Sequence, residues 1–180
     1  MLASILWGLL EEQQVQDLSK DGSAGHDFED LTVEKVHTAC HKVSNLGPFP
    51  PRYTLRLPTV SGLCHQIDVV VREGSAGYHL IECKLEQSTD VAEIYALNGK
   101  LLDYAFGARV RNQRTQIRGY FLTTSSRVSD GFCKYALAWG ISLIAPGCPP
   151  PPEYMLAKTK PNTTLHRQLT RFVGKATRAG

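Results

Sequence analysis

The sequence lacks both paired cysteines and long apolar runs. Its five cysteines are odd in number and widely spaced, and none forms a Cys-x-x-Cys pair. This pattern predicts neither a zinc ribbon nor a disulfide framework, and reduced thiols in a cytosol are the simplest interpretation. Residues 1–10 are apolar, but they have no basic segment before them and run directly into Glu11 and Glu12. The stretch is too short to span a bilayer, so we expect the start of an amphipathic helix packed on the domain or on a partner.

Acidic residues are scarce in two segments, although the net charge is small. The formal charge of +3 does not by itself indicate a nucleic-acid partner. Within residues 100–118 only Asp103 opposes the cations, and within residues 151–180 only Glu153 does. Such clusters suit a polyanion because contacts with phosphates release counterions, but a solvated basic surface explains them equally well. The cations of the first segment are Lys100, Arg109, Arg111, Arg114 and Arg118.

The periodicity of apolar residues predicts one α/β domain with a mixed sheet. A chain of 180 residues, 42% hydrophobic, can bury one core of ordinary size, and we find no internal repeat. Helical spacing predicts helices over residues 2–18, 26–45, 91–106 and 129–139, with Gly107 ending the third and residues 108–118 forming a loop. Strands are predicted over residues 53–57, 67–71, 78–81, 120–123 and 141–144. The last two should be parallel, with a right-handed crossover.

The most informative stretch is residues 65–86, HQIDVVVREGSAGYHLIECKLE. Two apolar runs joined by a turn-forming segment predict a β-hairpin. Asp68 interrupts an apolar strand, where a charge needs a partner or a metal. If the strands pair, Asp68 lies beside Glu82 and Lys84, which share one face of their strand. Two carboxylates and an ammonium suit Mg²⁺ and the cleavage of a phosphodiester. The alternative is a structural ion pair of a carboxylate with Lys84.

Asp68 followed by Glu82-Cys83-Lys84 resembles the core of the PD-(D/E)XK nuclease superfamily, whose Asp and Glu-x-Lys lie on consecutive strands. Within that superfamily the chain is most similar to Mrr-like restriction endonucleases, because residues 25–29, GHDFE, match their Gly-x-x-Phe-Glu at the start of the first helix. Residues 119–124 resemble the family's later strand, and residues 135–141 the helix and strand after it. Ile67 stands where proline is common, and the helix after Lys84 offers only Asn98 or Lys100 as a further motif residue.

The resemblance implies a restriction-endonuclease-like fold: an α/β domain with an α-β-β-β-α-β core and a mixed central sheet flanked by helices. It covers roughly residues 25–144. We therefore divide the chain into an N-terminal helix and linker (residues 1–24), a nuclease core (25–146), and a proline-rich connector with a basic C-terminal tail (147–180).

The resemblance also implies a Mg²⁺-dependent DNA endonuclease, with Mn²⁺ as a substitute. Asp68, Glu82 and the backbone carbonyl of Cys83 would bind the metal. Lys84 would hold or deprotonate the attacking water, and Glu29 would complete the metal shell through a water. Glu29 is equally an acid favoured by the helix dipole in a first turn. His65, close to Asp68 in sequence, is a candidate proton shuttle, although such a histidine is more often a surface residue.

The implied partner is DNA, in the cytoplasm or on the nucleoid of a prokaryote, with no membrane. A homodimer or a separate specificity subunit would provide target recognition, for which the chain has little room. Two alternatives stay open: a Holliday-junction or repair nuclease on the same core, and a non-cleaving DNA-binding or assembly module. The expected DNA contacts are Lys100, Arg109, Arg111 and Arg114.

Overall fold

The computed structural model describes residues 2–12, 15, 17–18, 25–40, 46–75, 77–85, 89–111 and 115–148. Arg114, the predicted linker up to residue 24 and the tail from residue 149 lie outside these residues. The helices whose bounds lie within these residues are α1 (Leu2–Leu10), α2 (Gly25–Cys40), α3 (Val91–Val110) and α4 (Asp130–Trp139). The strands are β1 (Leu46–Pro48), β2 (Tyr53–Thr54), β3 (Gln66–Ile67), β4 (Val69–Glu73), β5 (Gly77–Lys84), β6 (Gln116–Thr123) and β7 (Ser142–Ile144).

Five strands form a mixed sheet in the order β1-β4-β5-β6-β7. The β1–β4 and β4–β5 pairs are antiparallel, whereas β5–β6 and β6–β7 are parallel. The predicted hairpin is β4–β5, with Val69 opposite Ile81 and Glu73 opposite Gly77. β2 and β3 pair separately as a small antiparallel sheet. The structure therefore confirms the predicted mixed sheet and the parallel β6–β7 pair, with α4 as the crossover.

Helices cover both faces of the sheet because each strand alternates its side chains between two apolar layers. One layer lies between the sheet and the helices α1 and α2, and the other between the sheet and α3 and α4. No helix in the described part of the chain is long and apolar enough to cross a membrane. The first layer includes Leu6, Phe28, Val36, Val71, Ile81 and Leu122, and the second includes Val70, Leu80, Leu97, Tyr104, Phe121 and Phe132.

Two predicted boundaries near the start of the domain are wrong. The helix predicted over residues 2–18 is interrupted: α1 ends at Leu10, Glu11 and Glu12 follow as a turn and a bend because acidic residues oppose the dipole at a helix C-terminus, and residues 15, 17 and 18 are helical again. The strand expected over residues 53–57 is only Tyr53–Thr54, and the hydroxyl of Tyr104 instead donates to the carbonyl of Leu55 at 2.8 Å. Residues 46–48, expected to be a helix stop, form β1, an edge strand where proline is tolerated.

The prediction that Gly107 ends the third helix is also wrong. α3 continues to Val110, and β6 begins at Gln116, so residues 108–110 and 116–118 of the predicted loop belong to regular elements. A Cβ on Gly107 would lie 2.1 Å from the carbonyl oxygen of Pro58. Glycine at this position therefore allows the chain at Pro58 to approach the helix closely, a requirement that the local sequence pattern cannot show.

Replacing Gly107 should therefore have the opposite effect from replacing another glycine of the same helix. Gly107→Ala should lower the free energy of unfolding by about 1–3 kcal/mol because the methyl group meets backbone atoms. Gly99→Ala is the matched control: a Cβ there has no atom within 4 Å, and alanine should stabilise the helix by about 0.5–1 kcal/mol. Urea unfolding of both variants measures the difference. If both substitutions change the free energy of unfolding equally, the chain at Pro58 does not approach Gly107 closely.

Candidate active site

The backbone changes direction at Asp68, between β3 and β4. Ile67 and Val70 pack into the same apolar layer although they are three residues apart, which an uninterrupted strand does not allow. The Oδ2 atom of Asp68 accepts a hydrogen bond from the backbone N–H of Cys83 at 2.8 Å. The carbonyl of Asp68 accepts one from the N–H of Arg52, also at 2.8 Å. Because the strand is interrupted here, the Asp68 carboxylate takes the place of the backbone carbonyl that would otherwise accept the hydrogen bond from Cys83.

Glu82 and Lys84 share the face of β5 that packs against α3, as the alternation predicted. The Nζ atom of Lys100 donates to Oε2 of Glu82 at 3.0 Å. The Nζ atom of Lys84 lies 3.8 Å from Oε1 of Glu82 and 3.8 Å from Oε1 of Glu93. Lys100 therefore makes the short ion pair with Glu82, and Lys84 lies between two carboxylates at ion-pair distance.

Asp68 carries a strongly perturbed carboxyl group. Burial raises its pKa, the negative charge of Glu82 raises it further, and the hydrogen bond from Cys83 only partly opposes them, so the pKa rises to about 6. The negative charge of Glu29 adds to the increase, and the positive charge of Lys100 opposes it. Asp68 and Glu82 are each only 9% exposed. The site therefore concentrates negative charge where water solvates it poorly, and a bound cation would relieve this repulsion.

Cys83 contributes its backbone to the site, whereas its thiol lies elsewhere. The N–H and C=O groups of one residue in an extended strand point to the same side, so the Cys83 carbonyl is directed towards the strand break at Asp68. The side chain is buried in the opposite layer, and burial raises the pKa of the thiol well above its usual value. This placement is compatible with the predicted carbonyl ligand.

Glu29 lies in the first turns of α2. Its charge contributes to the raised pKa of Asp68, and its carboxylate pairs with Arg52. Its Oε2 atom accepts a hydrogen bond from Nη1 of Arg52 at 3.1 Å and lies 3.3 Å from Nδ1 of His26. Its role in a metal shell stays a prediction. Arg52 was missed by the sequence analysis: it connects Glu29 to the backbone of Asp68, and its φ of 55° is unusual for a residue other than glycine.

α3 supplies two residues to the site. Lys100 pairs with Glu82, which leaves its expected contact with DNA a prediction, and Glu93, which was not predicted, lies near Lys84. They are seven residues apart and so share one helix face, a relation that the sequence shows once the helix is placed. Asn98 is buried and its Nδ2 donates to the hydroxyl of Tyr135 at 2.8 Å, in the contact between α3 and α4.

The remaining expected DNA contacts lie away from the carboxylates. Arg109 and Arg111 are exposed at the C-terminal end of α3. They follow Lys100 by nine and eleven residues, which corresponds to about 15 Å along the helix axis. Contact of these two arginines with DNA stays a prediction.

The donor set fits a hard cation that keeps much of its own hydration. Among the described residues, no group of three or more His, Cys, Asp or Glu side chains is arranged to hold a metal ion. Two carboxylates with a backbone carbonyl are nevertheless a usual protein contribution for Mg²⁺, which takes its other ligands from water and substrate phosphate. The residues that could hold such an ion are Asp68, Glu82 and, through its carbonyl, Cys83.

The raised pKa of Asp68 predicts a pH-dependent cost to folding. Its contribution to stability is fully present below the ordinary pKa of 3.8 and is lost as the pH rises through about 6. Asp68→Asn keeps an acceptor for the Cys83 N–H and removes the charge, so it should stabilise the metal-free protein by about 3 kcal/mol at pH 8. The difference from the wild type should close towards pH 4.

Urea unfolding of both proteins at several pH values measures this difference, in which the titration of other groups cancels. Asp130→Asn is the control, because the Asp130 side chain is 78% exposed and should show little effect. A difference between the wild type and Asp68→Asn that does not change with pH would show that Asp68 is not perturbed.

No protein-family model matches the sequence, and no curated protein matches it. Among solved structures, the chain is similar to the small subunit of a heterodimeric restriction endonuclease, with 16% identity and a TM-score of 0.40 over 74% of this chain and 71% of that chain. A likeness of this size assigns neither a family nor an activity to the chain.

Proposed function

We propose that the chain is a Mg²⁺-dependent DNA endonuclease of the Mrr-like restriction type, acting in the cytoplasm. The observation that carries this proposal is the buried carboxylate of Asp68, fixed by the Cys83 N–H beside Glu82 and without an ion-pair partner among the described residues. A purely structural ion pair would neutralise this group. The arrangement suits a site that a divalent cation completes, and the Asp and Glu-x-Lys pattern supports the assignment to phosphodiester cleavage.

Asp68 and Glu82 would hold the metal through their remaining oxygen atoms. Oδ2 of Asp68 is occupied by the Cys83 N–H, and no described residue donates to Oδ1. Oε2 of Glu82 is occupied by Lys100, which fixes the carboxylate and leaves Oε1 on the side of Lys84. When bound, the metal would polarise a phosphoryl oxygen and lower the pKa of a bound water. The protein would supply ligands that are already oriented, which avoids reorganisation during the reaction.

Lys84 would act on the attacking water and the scissile phosphate. Its ammonium lies near Oε1 of Glu82, on the same strand face, so a water held at that carboxylate is within its reach. The positive charge would stabilise a developing hydroxide and the negative charge of the transition state, and the amine in its neutral form would accept the proton. Lys100 would position Glu82.

Two alternatives differ from this proposal in substrate or in chemistry. A Holliday-junction or repair nuclease would use the same residues on a branched substrate, and cleavage assays on junctions, flaps, and modified and unmodified duplexes separate these activities. A non-cleaving binding module would leave supercoiled plasmid intact. A homodimer or a separate specificity subunit would provide the target recognition that the endonuclease needs.

Mg²⁺ should stabilise the protein through Asp68. We expect Mg²⁺ to raise the melting temperature of the wild type at pH 8, and to raise it less at pH 5, where a proton competes for Asp68. Asp68→Asn should remove most of this increase and abolish plasmid nicking while DNA affinity stays within a few-fold. Asp130→Asn should retain the Mg²⁺ response and the nicking. More than a tenth of wild-type nicking in Asp68→Asn would rule out the assignment.

Lys84 and Lys100 should have separable roles. Lys84→Ala should reduce single-turnover cleavage roughly 10²–10³-fold, by analogy with the loss of one preorganised donor. It should change stability little, because Glu82 retains Lys100. Lys100→Ala should lower the free energy of unfolding by about 1–3 kcal/mol, because Glu82 is then buried without its short ion pair. Lys84→Arg should rescue cleavage poorly, since a guanidinium keeps the charge but not the shape or the basicity.

Single-turnover cleavage, thermal melting and Mg²⁺ titration on the same preparations distinguish these roles. If Lys84 only forms a structural ion pair, Lys84→Ala will lower the melting temperature and leave cleavage per folded molecule nearly unchanged. That result would end the proposed role of Lys84.

A further inference from the structure

The segment between β2 and β3, residues 55–65 (the 55–65 loop), is held against α3 at its two ends by the Tyr104 hydroxyl and at its centre by the carboxylate of Asp103. Oδ1 of Asp103 accepts from the Ser61 N–H at 2.9 Å, and Oδ2 accepts from the Ser61 hydroxyl and lies 2.7 Å from Nε2 of His65. The N–H of Val60 donates to the Asp103 carbonyl at 3.4 Å. Burial alone would raise the pKa of Asp103, but the hydrogen bonds from Ser61 and His65 outweigh it and hold the pKa below its usual value.

Further contacts fix the shape of the loop from within. The Thr59 hydroxyl donates to the carbonyl of Leu63 at 2.7 Å, and the Leu63 N–H donates to the Ser61 hydroxyl at 3.1 Å. Pro58 lies against Gly107 at the close approach described above. A loop that is already ordered loses little conformational entropy when it binds a partner, so its exposed side chains are prepared for contact.

The 55–65 loop exposes two apolar side chains in a segment that contains no acidic residue. Val60 is 59% exposed and Leu63 is 62% exposed. The sequence contains no Asp or Glu from residue 54 to residue 66, and none from residue 104 to residue 111 at the adjoining end of α3. The nearby carboxylate of Asp103 is 13% exposed and occupied by its hydrogen bonds. The exposed cations of these two segments are Arg56, Arg109 and Arg111.

This surface borders the candidate active site. Asp103 follows Lys100 by one turn of α3, and Lys100 holds Glu82. The loop ends at β3, and Asp68 is the residue that follows β3. The part of the loop that Asp103 holds therefore lies about one helical turn from the lysine that pairs with Glu82.

We propose that the 55–65 loop contacts a groove of duplex DNA with Val60 and Leu63, while Arg56, Arg109 and Arg111 contact the flanking phosphates. This inference rests on the proposed function, which makes DNA the substrate. Apolar side chains at a groove and arginines at phosphates are a common division of roles in DNA-binding proteins. Two adjoining segments that carry exposed arginines and no acidic residue favour a polyanion, and they disfavour a second copy of the same basic segments.

The native Cys64 provides a direct test. Cys64 is exposed and lies next to Leu63, whereas Cys133 and Cys148 are partly exposed on α4 and after β7. In the full chain without divalent metal, duplex DNA should slow maleimide alkylation of Cys64 severalfold, with no change at Cys133 or Cys148, as measured by peptide mass spectrometry. Unchanged alkylation of Cys64 at saturating DNA would overturn the proposal.

Substitutions separate apolar contacts from phosphate contacts. The double variant Val60→Ser/Leu63→Ser should bind duplex about tenfold more weakly, with the same dependence of affinity on salt. Arg109→Gln/Arg111→Gln should reduce the slope of log affinity against log salt by about 2. Leu137→Ser is the matched control, because Leu137 is 82% exposed on α4 and should not affect binding. Unfolding curves confirm that each variant is folded.

The outcomes distinguish this inference from the proposed function. If DNA binding depends on the loop but the protein does not cleave DNA, the proposed endonuclease activity is wrong and the proposed DNA contact of the loop is supported. If the Val60/Leu63 variant cleaves DNA and binds it with unchanged affinity, the proposed DNA contact of the loop is wrong and the endonuclease activity is supported. If the substitutions change the sedimentation of the free protein but not its DNA affinity, the loop contacts a second copy and the inference is wrong. Absence of DNA binding by the wild type would overturn both.

Discussion

The hydrogen bond from the Cys83 N–H to the carboxylate of Asp68 is the contact on which the candidate site depends. It joins a strand break to an intact strand, because the carboxylate takes an N–H that would otherwise pair with a backbone carbonyl. The β4–β5 register then places Glu82 beside it. The geometry is specific, but it buries two carboxylates close together. The raised pKa of Asp68 is the physical consequence, and it opposes folding at neutral pH.

α3 connects the carboxylates to the rest of the surface. Glu93 lies near Lys84, Lys100 pairs with Glu82, and Asp103 and Gly107 hold the 55–65 loop. These positions recur at three-, four- and seven-residue spacing, so they form one side of the helix. A single rigid element therefore fixes both the orientation of Glu82 and the position of the loop. A change in the docking of α3 would disturb both together.

Local signals predicted the parts of the fold that local chemistry determines. The β4–β5 hairpin follows from its turn and apolar runs, and α4 begins at the Ser129 N-cap and ends at Gly140 in the left-handed conformation. The shared face of Glu82 and Lys84 follows from strand alternation. Other features depend on contacts between distant segments: β1 needs β4, and the helix passes through Gly107 because Pro58 packs there. Arg52 carried no sequence signal.

The buried charges at the two ends of β5 are compensated differently, and this difference supports a functional role for the site at Asp68. At the N-terminal end, His79 is buried between the Tyr120 hydroxyl and Glu73, and Glu73 also pairs with Arg118 at 2.5 Å. Burial and then Arg118 lower the pKa of His79, which keeps the ring neutral, so every charge there has a counterpart. At the C-terminal end, Glu82 forms ion pairs with Lys84 and Lys100. Among the described residues, Asp68 accepts a hydrogen bond only from the backbone N–H of Cys83. The same strand can thus bury polar groups whose charges are paired. The carboxylate of Asp68 is not paired in this way within the described part of the chain, and the proposed cation would neutralise its charge.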